Sequence, residues 1–440
     1  MATAGNSQPR RARRPGGLLW QRNFLLLWTG ETVSQTGSAM AVVGVPLLAV
    51  EVLHASTFAV SSLTAAAFLP WLLIGLPAGA WVDRLPPRPL MVTCDVVSAL
   101  LFASLPVAAW LGVLTIRQVL AVALLAGAAN VFFATAYQVY LPSLVTADEL
   151  MEANAKLQGS LSVALLGGRS LAGLAAQALG DATALLCNAA SFLVSAGCLL
   201  SIRGAAPRAR SPARGTTVRA EILAGARFIA RDPLLRALTG YVAAANLTFS
   251  GGNALFVVFL VRVAGLKAAA VGLLMAAAGV GGIAGALVAR RVTAKLGTAR
   301  TLILSTAGSS PFALLIPLAG QGPRLACYII GSFVVGVGIT PCNIILTSFR
   351  QVYVPAAMLG RITASQRFLL FGTIPVGALL AGTLGTALGV RDALWVMLAA
   401  YALSPAMLLG RAVRGQRDLP TAATLLPEQT AGQRRGAGRG

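Results

Sequence analysis

Long apolar runs recur along the whole chain of 440 residues, and they restrict its fold more than any other feature. One run, FAVSSLTAAAFLPWLLIGLP at 58–77, contains no charged residue. About 20 apolar residues in a helix are enough to cross the hydrocarbon core of a bilayer. Charged residues make up 11% of this chain, whereas soluble proteins contain about 25%. The sequence therefore predicts an all-α integral membrane protein.

We predict twelve membrane-spanning helices, joined by segments that are too short to form a soluble domain. Their approximate limits are 24–50, 57–82, 89–112, 118–141, 154–180, 182–202, 234–261, 269–289, 300–319, 325–348, 361–388 and 392–411.

Basic residues are distributed unevenly around these spans. Of the 35 Lys and Arg residues, one, Arg169, lies within a span. Five lie on the side opposite both termini, and they are Arg117, Arg262, Lys267, Arg324 and Arg391. The others lie on the side of both termini, which the positive-inside rule assigns to the cytoplasm. Because the composition is rich in Arg, Ala and Gly, we expect a multi-pass protein of the bacterial inner (cytoplasmic) membrane. The net charge of +22 is then an orientation signal, and no nucleic acid partner is expected.

Three segments return later in the chain at nearly one offset. The pairs are AGAWVDR (78–84) with AGALVAR (284–290), NVFFATAYQVYLP (130–142) with NIILTSFRQVYVP (343–355), and ETVSQTGSAMAVV (31–43) with NLTFSGGNALFVV (246–258). This repetition predicts two homologous halves of six helices each. Many secondary transporters have this plan, with the substrate site near mid-membrane between the halves.

The repeat divides the chain into five regions. They are a basic cytoplasmic tail at 1–22, an N-terminal half at 23–203, a cytoplasmic linker with an amphipathic helix at 204–233, a C-terminal half at 234–412 and a disordered cytoplasmic tail at 413–440.

The stretch GAWVDRLPPRP places Asp83 at the end of the second predicted span. Gly79, four residues after Gly75, is small enough to let another helix approach closely. A carboxylate at a helix C-terminus is disfavoured by the helix dipole, so Asp83 needs a partner elsewhere. The N-terminus of the eleventh span, near Arg361, offers free N–H groups. The alternative is that Asp83 and Arg84 are solvated loop charges.

This stretch resembles the signature between the second and third helices of the major facilitator superfamily. The resemblance covers about 20–412, and several segments are similar to the drug-efflux branch that includes macrolide and enterobactin exporters. These segments are RNFLLLWTGETVSQTGSAM, QVYLPSLVTADELMEANA, NAASFLVSAGCLLSIR and DPLLRALTGYVAAANL. The resemblance implies a major facilitator fold and a latch on the cytoplasmic side, formed by Gly79, Asp83, Arg84 and Arg88. Pro87, Ala289 and Arg169 depart from the family pattern.

Polar residues form stripes on four predicted spans. Glu31, Ser34, Gln35 and Ser38 lie on one face of the first span, because they are three, four and seven residues apart. Further candidates for lining a cavity lie on the fourth, fifth, seventh and tenth spans. They are Asn130, Arg169, Asn246, Ser250, Asn253 and Asn343. The resemblance implies that these spans line a central cavity. The alternative is that these side chains only join helices through hydrogen bonds.

Glu31, Asp95 and Arg169 are ionisable residues within predicted spans, where such groups need partners. Burial favours the neutral form of a carboxylate, so Glu31 is the first candidate for proton coupling. Asp95 is the second, although it can instead pair with Arg84, Arg88 or another loop Arg. Arg169 can attract an anionic substrate or pair with either carboxylate. At the cytoplasmic ends, the candidates for a gate are Tyr137, Arg350 and Arg361.

The sequence contains no metal-ligand cluster, nucleophile elbow or nucleotide-binding motif, so we expect neither an enzyme nor a cofactor. The leading hypothesis is proton-coupled efflux of amphipathic small molecules, such as drugs, antibiotics or secondary metabolites, by alternating access. The expected partners are this substrate, protons and the lipid bilayer, and we expect a monomer. One alternative is an importer or uniporter of a small organic anion or metabolite. A more remote alternative is a membrane scaffold that transports nothing.

Overall fold

The computed structural model describes residues 18–82, 84–146, 149–180, 183–203, 218–410, 413 and 415–420. Within these residues, the regular structure is helical. The first seven helices are α1 (Arg22–Leu47), α2 (Thr57–Leu73), α3 (Gly75–Val82), α4 (Pro87–Trp110), α5 (Ile116–Leu144), α6 (Leu150–Leu179) and α7 (Thr183–Ser201). The next seven are α8 (Val218–Arg231), α9 (Pro233–Val258), α10 (Ala268–Leu296), α11 (Thr298–Ser309), α12 (Leu325–Tyr353), α13 (Ala356–Ala387) and α14 (Val390–Leu403).

Short helical turns extend four of these helices. The π-helical turns Leu48–Val52 and Phe259–Val263 continue α1 and α9, and the 3₁₀ turns Ser310–Leu318 and Ser404–Leu408 continue α11 and α14. In the described part of the chain, ten helical segments are long and apolar enough to cross a membrane. The apolar helix α2 and the final helix α14 supply the two remaining predicted spans. The prediction of an all-α integral membrane protein is confirmed.

The second predicted span is interrupted at Ile74, between α2 and α3. Pro77 stands four residues after Leu73 and has no N–H group, so it cannot donate to the carbonyl of Leu73. The helical hydrogen bonds resume at once, because Ala78 N donates to Ile74 O at 2.8 Å. The interruption therefore divides the predicted span into two helices that follow each other directly.

The starts of several helices follow from capping residues in the sequence. Asp232 accepts hydrogen bonds from Leu234 N at 2.9 Å and from Leu235 N at 3.0 Å, and Pro233 occupies the first turn of α9. Thr115 caps α5 by accepting from Gln118 N at 3.3 Å. These side chains bind N–H groups that have no partner within the helix.

Glycines on α1 bring this helix against α7. A methyl group on Gly30 would lie 3.1 Å from Cys198 Cβ, and one on Gly44 would lie 3.1 Å from Ala184 Cβ. Both are closer than most Cβ contacts in proteins. Small residues of this kind allow helix backbones to approach closely in a membrane. The result is that α1 is packed between α6 and α7.

Helices from the first six spans contact helices from the last six along two seams. In one seam, α2 packs against α13, and the rings of Trp71 and Phe371 are stacked with centroids 4.5 Å apart. In the other, α6 packs against α10, and a methyl group on Gly272 would lie 3.0 Å from Gly173 Cα. Each seam joins one helix of the first half to one helix of the second half.

We call the end of the bundle at which the described chain begins the Leu18 end, and the opposite end the His54 end. At the Leu18 end, Gln21 Nε2 donates to Glu149 Oε1 at 2.7 Å, which places the starts of α1 and α6 side by side. At the His54 end, Arg262 Nη2 donates to Ala55 O at 2.7 Å and joins the two halves. A cluster of apolar residues that includes Leu48 and Val258 surrounds this contact.

Two predicted regions outside the spans contain described structure. The amphipathic helix of the linker is α8, and its residue Ile229 is buried in an apolar cluster with Leu235. Residues 415–420, which we assigned to the disordered tail, pack against the bundle. Asp418 Oδ1 accepts from Thr298 N at 2.8 Å, and Leu419 is 7% exposed. The prediction of disorder is wrong for these six residues because they cap α11.

Candidate functional site

A cavity of about 170 Å³ lies between α1, α5 and α6. Its walls carry one carboxylate, three amides, a phenol and two hydroxyls, with two leucines among them. The lining residues are Glu31, Thr32, Gln35, Tyr137, Asn154, Leu157, Gln158, Ser160 and Leu161. Lys and Arg are absent from the described residues of this lining.

Glu31 is the acidic residue of the cavity, about two turns into α1. Gln35 stands one turn later on the same face and donates from Nε2 to Glu31 Oε1 at 2.7 Å. Tyr137 and Asp95 both lie within electrostatic range of Glu31. The carboxylate is therefore near other titratable groups but has no cation beside it in the described lining.

Only part of the polar stripe predicted on the first span lies in the wall of this cavity. Glu31 and Gln35 line the cavity, whereas Ser34 and Ser38 do not. The side chain of Ser34 is buried, with 6% of its surface exposed. Tyr137, which we predicted as a gate residue, lies in the cavity wall.

On α6, sequence reasoning named only Arg169 and missed the residues that line the cavity. Asn154, Gln158 and Leu161 recur at helical spacing on α6 and line the cavity opposite Glu31. The signal was present, since two amides four residues apart occur at the start of an apolar helix. The predicted fifth span already begins at Asn154, but Asn154 and Gln158 were not named as cavity candidates.

The other predicted cavity residues do not meet the cavity around Glu31. Asn246 Nδ2 donates to Leu370 O at 2.9 Å and to Thr373 Oγ1 at 2.8 Å, so it joins α9 to α13. This arrangement matches the alternative that such residues only hold helices together. Four more candidates are absent from the cavity lining, and they are Asn130, Ser250, Asn253 and Asn343.

Asp95 is 2% exposed and lies against α7, where Ser195 donates a hydrogen bond to its carboxylate. Its Oδ2 atom is buried without a partner among the described residues. The predicted pair with Arg88 does not form. Arg88 Nε donates to Leu199 O at 2.8 Å instead, and Nη2 donates to the next carbonyl. The carbonyls at the end of α7 lack partners within the helix and bind the guanidinium.

Arg169 pairs with neither carboxylate in the structure. Its Nη1 atom lies 3.5 Å from Met275 O on α10, its Nε atom is buried without a described partner, and Tyr328 is within electrostatic range. Arg169 therefore lies in the seam between α6 and α10. It does not line the cavity around Glu31.

The predicted latch and gate are described only in part. Asp83 lies outside the described residues, Arg84 is exposed, and Arg361 lies within α13. A methyl group on Gly79 would meet no described atom within 4 Å, so the close approach of a helix there stays a prediction.

Arg350 takes part in a chain of hydrogen bonds across three helices at the Leu18 end. Its Nη1 atom donates to Gln366 Oε1 at 2.7 Å. Gln366 Nε2 in turn donates to Thr239 Oγ1 at 3.2 Å. The chain holds the end of α12 to α13 and to the beginning of α9.

A larger and more open cavity, of about 390 Å³, lies at the His54 end between the two halves. Glu51, Gln177 and Lys267 are its polar lining residues. It is formed by helix ends and loops. Within the described part of the chain, no group of three or more His, Cys, Asp or Glu residues is placed to hold a metal ion.

Comparison with known proteins gives matches along almost the whole chain. A family model described as transmembrane secretion effector matches residues 17–432. The multidrug efflux pump Tap of Mycolicibacterium fortuitum is 28% identical over 389 residues, which are 84% of this chain and 90% of Tap. An uncharacterized MFS-type transporter of Sinorhizobium fredii, y4rN, is 29% identical over 332 residues, which are 74% of this chain and 79% of that protein.

Solved transporter structures match the fold at low sequence identity. A mutant of the nucleoside transporter NupG gives a TM-score of 0.74 at 12% identity, covering 88% of this chain and 99% of that chain. A bacterial homologue of the iron transporter ferroportin, in an inward-facing state, gives 0.67 at 18% identity, covering 89% of this chain and 98% of that chain. At these identities the similarity concerns the fold alone.

Proposed function

Because the chain belongs to the transmembrane secretion effector family of the major facilitator superfamily, we propose that it exports amphipathic small molecules in exchange for protons. It is a multi-pass membrane transporter, and neither its family nor its relatives are enzymes. The proposal places it in the bacterial cytoplasmic membrane with both termini in the cytoplasm, because the basic residues concentrate on that side. The Leu18 end then faces the cytoplasm.

The observation that carries this proposal is a carboxylate in a membrane cavity without a basic residue beside it. Glu31 shares its cavity with amides, hydroxyls and Tyr137, and Gln35 donates to it. An ionised carboxylate inside the membrane is costly unless a proton or a cation neutralises it. Glu31 therefore binds either a proton or the substrate, but not both at once. Because one must leave before the other binds, protons and substrate cross the membrane in opposite directions.

Export as the direction is supported by the relatives. The family is described as secretion effectors, and Tap is named as a multidrug efflux pump. The alternative of an anion importer relied on Arg169. Arg169 lies in the seam between α6 and α10 and not in the cavity wall. The described lining of the Glu31 cavity therefore offers no basic residue that would bind an anionic substrate.

The latch and the gate are part of the same proposal. Gly79, Asp83, Arg84 and Arg88 act together at the Leu18 end, where Asp83 binds the start of α13 near Arg361 when the transporter opens at the opposite end. We place the gate at the same end, where Arg350 contacts Gln366 on the neighbouring helix of its own half. Alternating access then exposes Glu31 to one side of the membrane at a time.

Efflux from cells that express the full chain tests this proposal. Amphipathic dyes and macrolides are loaded, and their loss is followed with and without a proton uncoupler. We expect uncoupler-sensitive efflux that is abolished in Glu31→Gln. The matched control is Glu152→Gln, since Glu152 is a surface residue that pairs with Lys156 at 3.4 Å. If Glu31→Gln exports at the normal rate and still responds to the uncoupler, Glu31 is not the coupling site.

A further inference from the structure

The guanidinium of Arg169 carries a charge that no described carboxylate balances. Its Nη1 atom lies 3.5 Å from Met275 O on α10, and its Nε atom is buried without a partner among the described residues. Val271 and Leu274, on the same face of α10 as Met275, belong to a buried apolar cluster. An unbalanced charge among apolar helices in a membrane is costly, so we expect Arg169 to bind a further partner.

Two hydroxyl groups of α12 lie near this guanidinium. Tyr328, which is 2% exposed, is within electrostatic range of Arg169. Ser332 stands one turn later, is 5% exposed, and has its hydroxyl beside that of Tyr328. Ser332 Oγ is nevertheless buried without a partner of hydrogen-bond geometry among the described residues. Its proton is therefore available to a ligand, whereas Thr340 Oγ1 on the same helix donates to Gly336 O at 3.5 Å.

The three side chains supply hydrogen-bond donors and positive charge, but no carboxylate. A guanidinium has several N–H donors and no acceptor, and each hydroxyl has a proton to donate. A cation would be repelled by Arg169, and a water molecule would occupy donors without balancing the charge. An anion does both, because charge-assisted hydrogen bonds from a guanidinium are among the strongest in proteins.

The position of these donors limits the anion that they can hold. Arg169 lies on α6 of the first half, nearer the end of this helix than its start and so toward the His54 end. Tyr328 and Ser332 lie on α12 of the second half. The helix backbones are close beside Arg169, since a methyl group on Gly272 would lie 3.0 Å from Gly173 Cα. Such packing leaves room for an ion of halide size rather than for a drug-sized molecule.

We propose that Arg169, Tyr328 and Ser332 bind a halide ion, chloride under ordinary conditions, in the seam between α6 and the second half. The site is separate from the Glu31 cavity and goes beyond the proposed function. Because its donors come from both halves, the ion binds while the halves are packed together here and leaves when they separate. Bound chloride therefore favours the form that is closed at the His54 end.

Thermal unfolding of the purified full chain in detergent tests the binding. Sodium chloride and sodium bromide are compared with sodium gluconate at equal ionic strength, because gluconate is too large for the site. A ligand that binds only the folded chain raises the unfolding temperature in a saturable way. We expect this rise with both halides in the parent chain but not in Arg169→Gln. The matched control Arg391→Gln keeps the rise, since Arg391 Nη2 donates to Ala319 O at 3.3 Å, away from the site.

Two results of this comparison would overturn the inference. One is an equal unfolding temperature of the parent chain in halide and in gluconate. The other is a halide response that persists unchanged in Arg169→Gln, because the response is then a general effect of the salt on the protein.

Removal of single hydroxyls tests the part of the site on α12. Ser332→Ala and Tyr328→Phe each remove one donor and keep Arg169, so we expect half-maximal stabilisation at about three- to tenfold higher chloride concentration. Thr340→Val is the control on the same helix and is expected to change nothing. A half-maximal concentration that is the same in the parent chain and in all three variants would overturn the inference. If Arg169→Gln does not fold, these variants still decide the question.

Spin labels at the exposed positions His54 and Val263 test the bridge between the halves. We expect chloride to increase the population with the shorter distance in the parent chain but not in Arg169→Gln. Saturable binding with distances that chloride does not change would contradict the bridge. None of these measurements uses a proton gradient, so a chain that binds chloride but shows no uncoupler-sensitive efflux loses only the proposed function.

Discussion

Arg262 donates a hydrogen bond of 2.7 Å from Nη2 to the carbonyl oxygen of Ala55. The bond joins the end of α9 to the loop between α1 and α2, and it links the two halves of the bundle. Because apolar residues of both halves pack around it, the transporter is held together at the His54 end in this structure. The Glu31 cavity lies nearer the other end.

We predict that Arg262→Gln weakens this closure. The bond is made by a charged donor, so its loss shifts the balance toward the form open at the His54 end by about 1.5 kcal/mol, or about tenfold. Distances between spin labels at the exposed positions His54 and Val263 measure this shift. The matched control is Arg391→Gln, because Arg391 Nη2 donates to Ala319 O within the second half at 3.3 Å. An equal shift in both variants would contradict the prediction.

A second prediction concerns the buried side chain of Asp232, which is 1% exposed. It caps α9 through two backbone N–H groups and accepts from Tyr353 Oη at 2.7 Å. Asp232→Ala is expected to lower the free energy of unfolding by about 3 kcal/mol, because a cap and a charged hydrogen bond are both lost. Tyr353→Phe removes one of these bonds and is expected to cost less. Denaturant unfolding in detergent gives both values, and the reverse order would refute the account.

A third prediction links stability to pH through Glu149. The Thr146 N–H donates to the carboxylate at 3.1 Å and lowers the pKa of Glu149 below its usual value of 4.5. A carboxylate with a lowered pKa in the folded state stabilises the protein above the pKa of the unfolded chain. This stabilisation is lost as the pH falls through the folded pKa.

The unfolding temperature measured from neutral to acid pH tests this relation. We expect Glu149→Gln to be less stable than the parent chain above about pH 4.5, with the difference disappearing at lower pH. Because Glu149 is on the surface, the effect is small. A difference that stays constant over the whole range would show that the charge of Glu149 is not involved.

A fourth prediction separates Asp95 from Glu31. Asp95 is buried against α7 with Ser195 as its donor, and it does not line the cavity. Asp95→Asn keeps an oxygen for Ser195, so we expect export that remains sensitive to an uncoupler. Loss of this sensitivity in Asp95→Asn, with folding intact, would move the coupling site from Glu31 to Asp95.

The membrane helices were predictable because an apolar run of the right length has few alternatives in a bilayer. The polar partners were not. Asp95 and Arg88 are seven residues, or about two turns, apart on α4, yet Arg88 bonds to Leu199 O at the end of α7. Spacing along one helix does not reveal which neighbouring helix end offers free carbonyls.

The cavity shows the same limit. Glu31 and Gln35 were predicted from their shared face on α1, since the period of the helix fixes it. Asn154 and Gln158 belong to a helix that meets α1 through tertiary packing, and sequence spacing carries no information about that contact. Pro77 is a further example. The sequence shows that it lacks an N–H group, but where the helix is interrupted also depends on the packing around it.

Proton release on substrate binding tests the central claim most directly. Benzylammonium, a small amphipathic cation that serves as a substrate probe, is added to the purified full chain in weakly buffered detergent solution that contains a pH-sensitive dye. If Glu31 holds either a proton or the substrate, binding releases protons from the parent chain and from Glu152→Gln, and none from Glu31→Gln. Binding without proton release in the parent chain, or unchanged release in Glu31→Gln, would contradict the exchange at Glu31.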